Sequence, residues 1–190
     1  MHKKRIAIFA SGTGSNALNI INFFKGHPSI EIAFVMSNRA NAPIVTSAHE
    51  LGIKTMHFTN QEVADGNFLC TLCKDEAIDW IVLAGYLRLI PVELIKIYRD
   101  KMINLHPSLL PKYGGKGMHG QNVHLAVLEN KEVESGITIH FVNEEFDKGR
   151  IIAQFHCGID PSDKIEDLEM KIRYLEHSYL PTVIQNTILR

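Results

Sequence analysis

Short apolar runs alternate with amphipathic stretches through the first half of the chain. Residues 5–10 (RIAIFA) carry Ile6, Ile8 and Phe9 in a run of the kind that parallel sheets bury on both faces. Residues 11–15 read as a turn. Over residues 16–25, Ala17, Leu18, Ile21 and Phe24 fall on one face of an amphipathic helix that stops at Gly26. Residues 30–37 predict a second strand, 43–51 a second helix ended by Gly52, and 54–58 a short third strand. A charged helix over 67–76 leads to a fourth strand, WIVLAG, at 80–85. Pro91 suits the first turn of the helix that follows, VELIKIY, and residues 102–105 predict a fifth strand. Strands and helices alternating across short links imply an α/β fold built on a doubly wound parallel sheet.

The later pattern is different. Residues 123–129 predict a short helix with His124, Val127 and Leu128 on one face. Over 133–142, Val133, Ile137, Ile139 and Phe141 alternate with smaller or polar residues, which predicts a half-exposed strand, and 151–157 predict another. These two flank the acidic turn NEEFDKGR at 143–150, so the last third adds an antiparallel extension to a mostly parallel sheet. From Ile165 onward Leu168, Ile172, Leu175 and Tyr179 recur at helical spacing, a long C-terminal helix kinked or interrupted at Pro181. Without repeats, low-complexity segments or a linker, residues 1–190 read as a single domain. Residues 1–100 form its phosphate- or nucleotide-binding half and 101–190 its catalytic half.

Composition narrows the function classes. A chain of 190 residues with net charge −1 has no global field to favour nucleic acid or an anionic membrane surface. No apolar run approaches the roughly 20 residues of a spanning helix. The start, MHKKRIAIFA, is basic and then apolar, but it gives way to SGTGSN and fits a first strand better than a signal peptide. Three cysteines give no intrachain disulfide framework, and a reducing, cytoplasmic location follows as the default. Cys70 and Cys73 form C-x-x-C on a helical stretch; zinc would need two more ligands, so packing is the favoured role. The ten histidines include no H-E-x-x-H pair, and no metal is expected.

Two stretches carry candidate chemistry. Gly12, Gly14 and Ala17 match G-x-G-x-x-G/A between a strand and a helix, and the amides of Gly14, Ser15 and Asn16 open that helix, where its dipole favours a phosphate. Such a turn serves a mononucleotide-like ligand and a dinucleotide equally, and a plain tight turn is the bland alternative. Arg39, in SNRANAP after the second strand, keeps an NADP enzyme as the rival from this half. The second stretch is MINLHPSLLPKYGGKGMHG at 102–120. Asn104 and His106 alternate with Ile103 and Leu105, so their side chains point to one side of a strand end, and Pro107 stops the strand continuing as a helix. An amide and a protonated imidazole side by side can both donate to a developing negative oxygen. Asp147 stands in a turn beside Glu144 and Glu145, where a solvated face is its bland reading. Should it approach His106, its carboxylate would favour imidazolium and could take a proton from an attacking amine.

GTGSN after the first strand, AGYLRLI at 84–90, INLHPSLLPKY at 103–113, GITIHFVNEEFDKG at 136–149 and YLEHSYLP at 174–181 together resemble the glycinamide ribonucleotide formyltransferases. These belong to the enzymes that use 10-formyltetrahydrofolate. The likeness runs in order along nearly the whole chain, and N-x-H-P-S-L-L-P is its most specific part. It implies a Rossmann-like formyltransferase fold and attack by the amine of glycinamide ribonucleotide on the formyl group of the folate. By the same resemblance Asn104 and His106 steady the tetrahedral oxyanion, and Asp147 organises proton transfer. Gly14, Ser15 and Asn16 hold the substrate phosphate, and Glu176 contacts its ribose. The backbone of Leu87, Arg88, Leu89 and Ile90, with Asn104 and the turn of Asp147, receives the pterin. His140 and His177 support these groups. The implied partners are the two small molecules, with no nucleic acid or membrane, for a monomer or homodimer. The loop KYGGKGMHGQNVH is longer and richer in glycine than the family's common KYPGLHTH: His124 matches the last histidine, His119 aligns approximately and Lys116 is extra. FTNQEVADGNF lacks the arginine that many relatives carry after the third strand. A relative acting on tRNA would be expected to carry a further basic domain, and a deformylase a domain before the first strand.

Overall fold

The computed structural model describes residues 3–190. These divide into two compact units, one running up to Ile103 with Arg190 and the other covering Asn104–Leu189. The strands of the single sheet run in the order β3-β2-β1-β4-β5-β6-β7.

In the first unit the apolar run predicted at the start becomes β1 (Lys4–Phe9), with Ile6, Ala7, Ile8 and Phe9 fully buried. It pairs in parallel with β2 (Ile30–Ser37), and β2 pairs in parallel with β3 (Thr55–His57). On its other side β1 pairs in parallel with β4 (Trp80–Leu83). Three helices link these strands in sequence, α1 (Ser15–Phe24), α2 (Pro43–Glu50) and α3 (Gly66–Asp75), and α4 (Val92–Ile97) follows the last of them. The buried stripe of α1 is Ala17, Ile20, Ile21 and Phe24, so Ile20 takes the place expected for Leu18. The Asp65 carboxylate caps α3 by accepting from the amides of Asn67 and Phe68, a cap worth about 1 kcal/mol. A 3-10 turn over Glu62–Ala64 precedes it.

Strand β5 (Met102–His106) extends one residue further than the pattern predicted, so His106 is its last residue. In the second unit, α5 (Gln121–Glu129) buries Val123, His124 and Val127. Strands β6 (Glu134–Phe141) and β7 (Ile151–Gly158) then pair antiparallel, as the sequence implied. The expected half-exposure of β6 is wrong, because every residue after Glu134 is buried. The polar face of the strand is covered by the loop after β5. There the Thr138 hydroxyl donates to the Ser108 carbonyl at 2.6 Å and accepts from the Leu110 amide at 3.0 Å, and Gly136 lies against Leu109.

Helix α6 (Ile165–Ile188) runs through Pro181 without a break, correcting the expected interruption. An interior proline costs about 3 kcal/mol. Burial of Leu180, Pro181, Ile184 and Ile188 on one face outweighs this, at roughly 1.5–3 kcal/mol for each large apolar side chain. Tyr179 leaves the expected stripe and stacks on Phe155, with ring centroids 3.8 Å apart. Among the described residues no helix is long and apolar enough to cross a membrane.

Candidate active site

The glycine turn after β1 has the backbone that the sequence pattern requires. Gly14 stands at φ 74° as the residue before α1, and its carbonyl accepts the first bond of the helix, from the Leu18 amide. A Cβ there would lie 2.5 Å from the side chain of Ile44, so shape as well as φ restricts the position to glycine. Ser15 and Asn16 open the helix behind it. Beneath the turn, fully buried Ser11 donates its hydroxyl to Asn38 Oδ1 at 2.6 Å and accepts the Leu87 amide at 3.0 Å. The turn is thereby tied to residues 84–90, an irregular segment in which Leu87 and Leu89 are exposed and Ile90 is a buried anchor. The Leu87 amide is thus already engaged, as are the Ala84 amide, which donates to the Phe9 carbonyl, and the Gly85 carbonyl, which accepts the Ser11 amide, while residues 86–90 lie outside any strand. Arg39 is exposed in the loop after β2.

The second unit brings Asp147 to two polar residues that lie about forty positions earlier in the sequence. Asn104 and His106 stand on one side of β5, and Asp147 reaches them from the turn between β6 and β7, where it holds φ 56°. Asp147 Oδ2 lies 3.4 Å from His106 Nδ1 and accepts the Gly115 amide at 2.9 Å. Its Oδ1 accepts from Asn104 Nδ2 at 3.3 Å. His140 joins from β6: its Nδ1 faces the Phe141 carbonyl at 2.8 Å and must carry the proton there, so Nε2 is the acceptor for Asn104 Nδ2 at 3.1 Å. Both amide hydrogens of Asn104 therefore have partners. His106 Nε2 faces the Tyr113 carbonyl at 2.8 Å, which again fixes a proton on that nitrogen and leaves Nδ1 toward the carboxylate.

Opposed effects set the charge state. Burial drives the His106 imidazole below its ordinary value; the Asp147 carboxylate and the Tyr113 carbonyl pull the other way, as anticipated for a nearby carboxylate, but burial prevails. For Asp147 burial acts upward, yet the neighbouring His140 and His106 rings and the Gly115 amide together hold it below the usual carboxylate range. At neutral pH the cluster thus holds an ionised carboxylate against a neutral imidazole. An anionic base beside a ring that can receive a proton, next to an amide donor, is equipped for acyl transfer to an amine.

The sequence pattern of the formyl transferases matches residues 4–184. The chain belongs to the formyl transferase family. It is 37% identical over 188 residues to the chloroplastic phosphoribosylglycinamide formyltransferase of Arabidopsis thaliana, covering 96% of this chain and 64% of that relative. It is also 37% identical over 191 residues to the phosphoribosylglycinamide formyltransferase of Haemophilus influenzae, covering 96% of this chain and 86% of that one. Among solved structures, glycinamide ribonucleotide transformylase 1 from Geobacillus kaustophilus superposes with a TM-score of 0.88 at 34% identity, covering 96% of this chain and 97% of that one. The chain spans 64% and 61% of the lengths of the relatives from Arabidopsis thaliana and Vigna unguiculata.

Within this formyl transferase fold the remaining expected residues are scattered. Glu176 is half-buried on α6 with His177 beside it, while His119 and Lys116 are exposed in the loop. His124 is buried on α5, and its Nδ1 has no hydrogen-bond partner. Cys73 is buried in α3, where desolvation pushes its thiol up to about 12. Ser11 and Asn38 beneath the glycine turn, and Tyr113 and Gly115 beside the polar cluster of the second unit, escaped sequence reasoning. Their contributions are main-chain groups or buried hydrogen bonds, which leave no mark in residue type or spacing.

Proposed function

We propose that the protein transfers the formyl group of 10-formyltetrahydrofolate to the amine of glycinamide ribonucleotide, a step of de novo purine biosynthesis. The observation that carries this reading is the convergence of Asn104, His106 and Asp147 on one another, in a chain whose relatives bear the name of that activity.

Each binding element suits part of a reactant. The amides of Gly14, Ser15 and Asn16, at the positive end of α1, hold the ribonucleotide phosphate. Glu176 accepts hydrogen bonds from ribose hydroxyls. Residues 87–90 fit a pterin: exposed Leu87 and Leu89 offer apolar surface, and main-chain groups outside any ladder match the hydrogen-bonding edge of the ring. Among the described residues no group of three or more His, Cys, Asp or Glu side chains is placed to hold a metal ion.

The folate, when bound, supplies the formyl carbon and takes up a proton on the nitrogen it leaves behind. Asp147, ionised at neutral pH, accepts the proton that the amine loses as its nitrogen bonds to that carbon. His106 Nδ1, 3.4 Å from Oδ2, holds the proton in transit. Asn104 stabilises the oxygen that gains negative charge by turning one hydrogen away from Asp147 Oδ1, its longer contact at 3.3 Å against 3.1 Å to His140. Protonation of Asp147 weakens that same contact, so proton uptake and donation to the oxygen favour each other. The chain works in a reducing compartment, the cytoplasm, in keeping with its free cysteines.

The deciding experiment incubates the pure protein with 10-formyltetrahydrofolate, with and without glycinamide ribonucleotide, and follows folate absorbance. Consumption that depends on the amine is expected. Equal consumption without it would replace this reading with a hydrolase.

A further inference from the structure

Glu132 lies outside the site and touches none of the three central residues, yet it anchors the loop that holds one of them. Its Oε1 accepts the Tyr113 hydroxyl at 2.9 Å, and both its oxygens accept from Lys112 Nζ, at 2.9 and 3.1 Å. Tyr113 needs such an anchor, because its backbone stands at φ 57°, which costs a non-glycine residue of order 1–3 kcal/mol. On the neighbouring residue the Lys112 carbonyl accepts the Ser108 hydroxyl at 2.7 Å. In this conformation the Tyr113 carbonyl is brought to 2.8 Å from His106 Nε2.

We propose that Glu132 is a positioning residue for His106: by clamping the side chains of Lys112 and Tyr113 it holds the left-handed turn whose carbonyl keeps the proton of the imidazole on Nε2 and so presents Nδ1 to Asp147. The proposal rests on the formyl-transfer reading for its meaning in catalysis, but the geometry of the ring stands apart from it. With the carbonyl in place, the neutral ring has one tautomer, and any second proton enters and leaves at Nδ1. Without it, a ring buried to 3% exposure can carry its proton on either nitrogen, and only one choice leaves Nδ1 bare to receive the proton that Asp147 has taken up. The loss also removes an acceptor that favours the charged ring. The other titratable groups acting on His106 are Asp147, His140 and His124, and none of them touches Glu132 in this arrangement.

The test pairs nitrogen-15 NMR of the His106 ring with steady-state kinetics on the whole protein, its Glu132→Ala and Tyr113→Phe variants, and the double variant. In the wild type the neutral ring is expected to show a protonated Nε2 and a bare Nδ1. In each single variant the two ring nitrogens are expected to move toward a mixture of tautomers, with the titration displaced to lower pH. Turnover should fall by about tenfold to a hundredfold, the scale on which a misplaced catalytic group slows an enzyme, with KM for both substrates little changed. The double variant is expected to be no worse than Glu132→Ala alone, because both changes break one clamp. Glu132→Gln, which keeps an acceptor for the Tyr113 hydroxyl, is expected to recover part of the loss. Variants whose ring retains the wild-type tautomer and titration overturn the proposal, whatever happens to their activity. A wild-type protein that shows the pinned ring but no formyl transfer would instead overturn the functional reading alone.

Discussion

Asp147 carries four contacts on a carboxylate whose side chain is 10% exposed, and in the proposed reaction it is the group that takes up the proton. Replacing it by Asn keeps the shape but changes what the group can accept. An amide has one acceptor oxygen where the carboxylate has two, and it cannot take a proton at neutral pH. The oxygen of the new amide can serve either the Gly115 amide or Asn104, and its NH₂ group then opposes a donor. Asp147→Asn is therefore expected to lower turnover by about 100-fold to 10,000-fold, the usual worth of a general acid or base, while binding of both substrates changes far less. Rates across pH are the measure. Near-wild-type turnover with an unchanged profile would reduce Asp147 to a turn residue.

The elements show which parts of this arrangement could be read in advance. Asn104 and His106 were legible because the two-residue period of a strand puts them on one side, whatever the strand packs against. The glycine turn was legible because Gly14 combines positive φ with a backbone approach to Ile44 that residue type alone can signal. The company of Asp147 was legible only through the family resemblance, since it depends on a turn conformation at φ 56° and on the Gly115 amide, neither of which follows from local pattern. The alternation in β6 was read with the wrong environment: Gly136, Thr138 and His140 look like a solvated face, but the loop after β5 lies against Gly136 and Thr138. That cover has a measurable strength. Thr138→Val keeps the volume and removes the hydroxyl that serves Ser108, Leu110 and Gln154, leaving buried groups short of partners at about 1–3 kcal/mol each. Denaturant unfolding is expected to show a loss of roughly 2–4 kcal/mol, and a change below about 0.5 kcal/mol would mean that the loop does not depend on this contact. At the other turn, Gly14→Ala combines a left-handed backbone with a Cβ 2.5 Å from Ile44. It is expected to cost upward of about 1 kcal/mol in stability and to weaken phosphate-ligand binding, read by calorimetric titration. Wild-type values for both would show that the turn relaxes freely.

At the scale of the whole molecule the buried histidines make stability depend on acidity, and the sign follows from the direction of their shifts. Burial lowers His106 and His124 below the ordinary value of 6.5, so in the folded state they stay neutral at a pH where the unfolded chain already binds protons. Wherever the unfolded state holds more protons, stability rises with pH. The stabilisation from the neutral rings is thus fully present above about pH 6.5 and is lost as pH falls through the folded values. Asp147 acts in the same direction over a lower window: its folded value lies below 3.8, so its contribution is present above that and disappears on further acidification. A thermal unfolding series is therefore expected to be level through neutral pH, to decline below about pH 6.5 and to decline again in the range where carboxylates titrate. His124 separates this account from general charge repulsion. Its Nδ1 is buried without a partner, so protonation would place an unsatisfied charged N–H in the core. His124→Gln removes that titration and leaves Asn104, His106 and Asp147 in the chain, and it is expected to make the first decline shallower, His106 still titrating there, while leaving the second in place. A variant that keeps the full wild-type slope between pH 6.5 and the carboxylate range would show that neither the burial of His124 nor its missing partner contributes to acid lability.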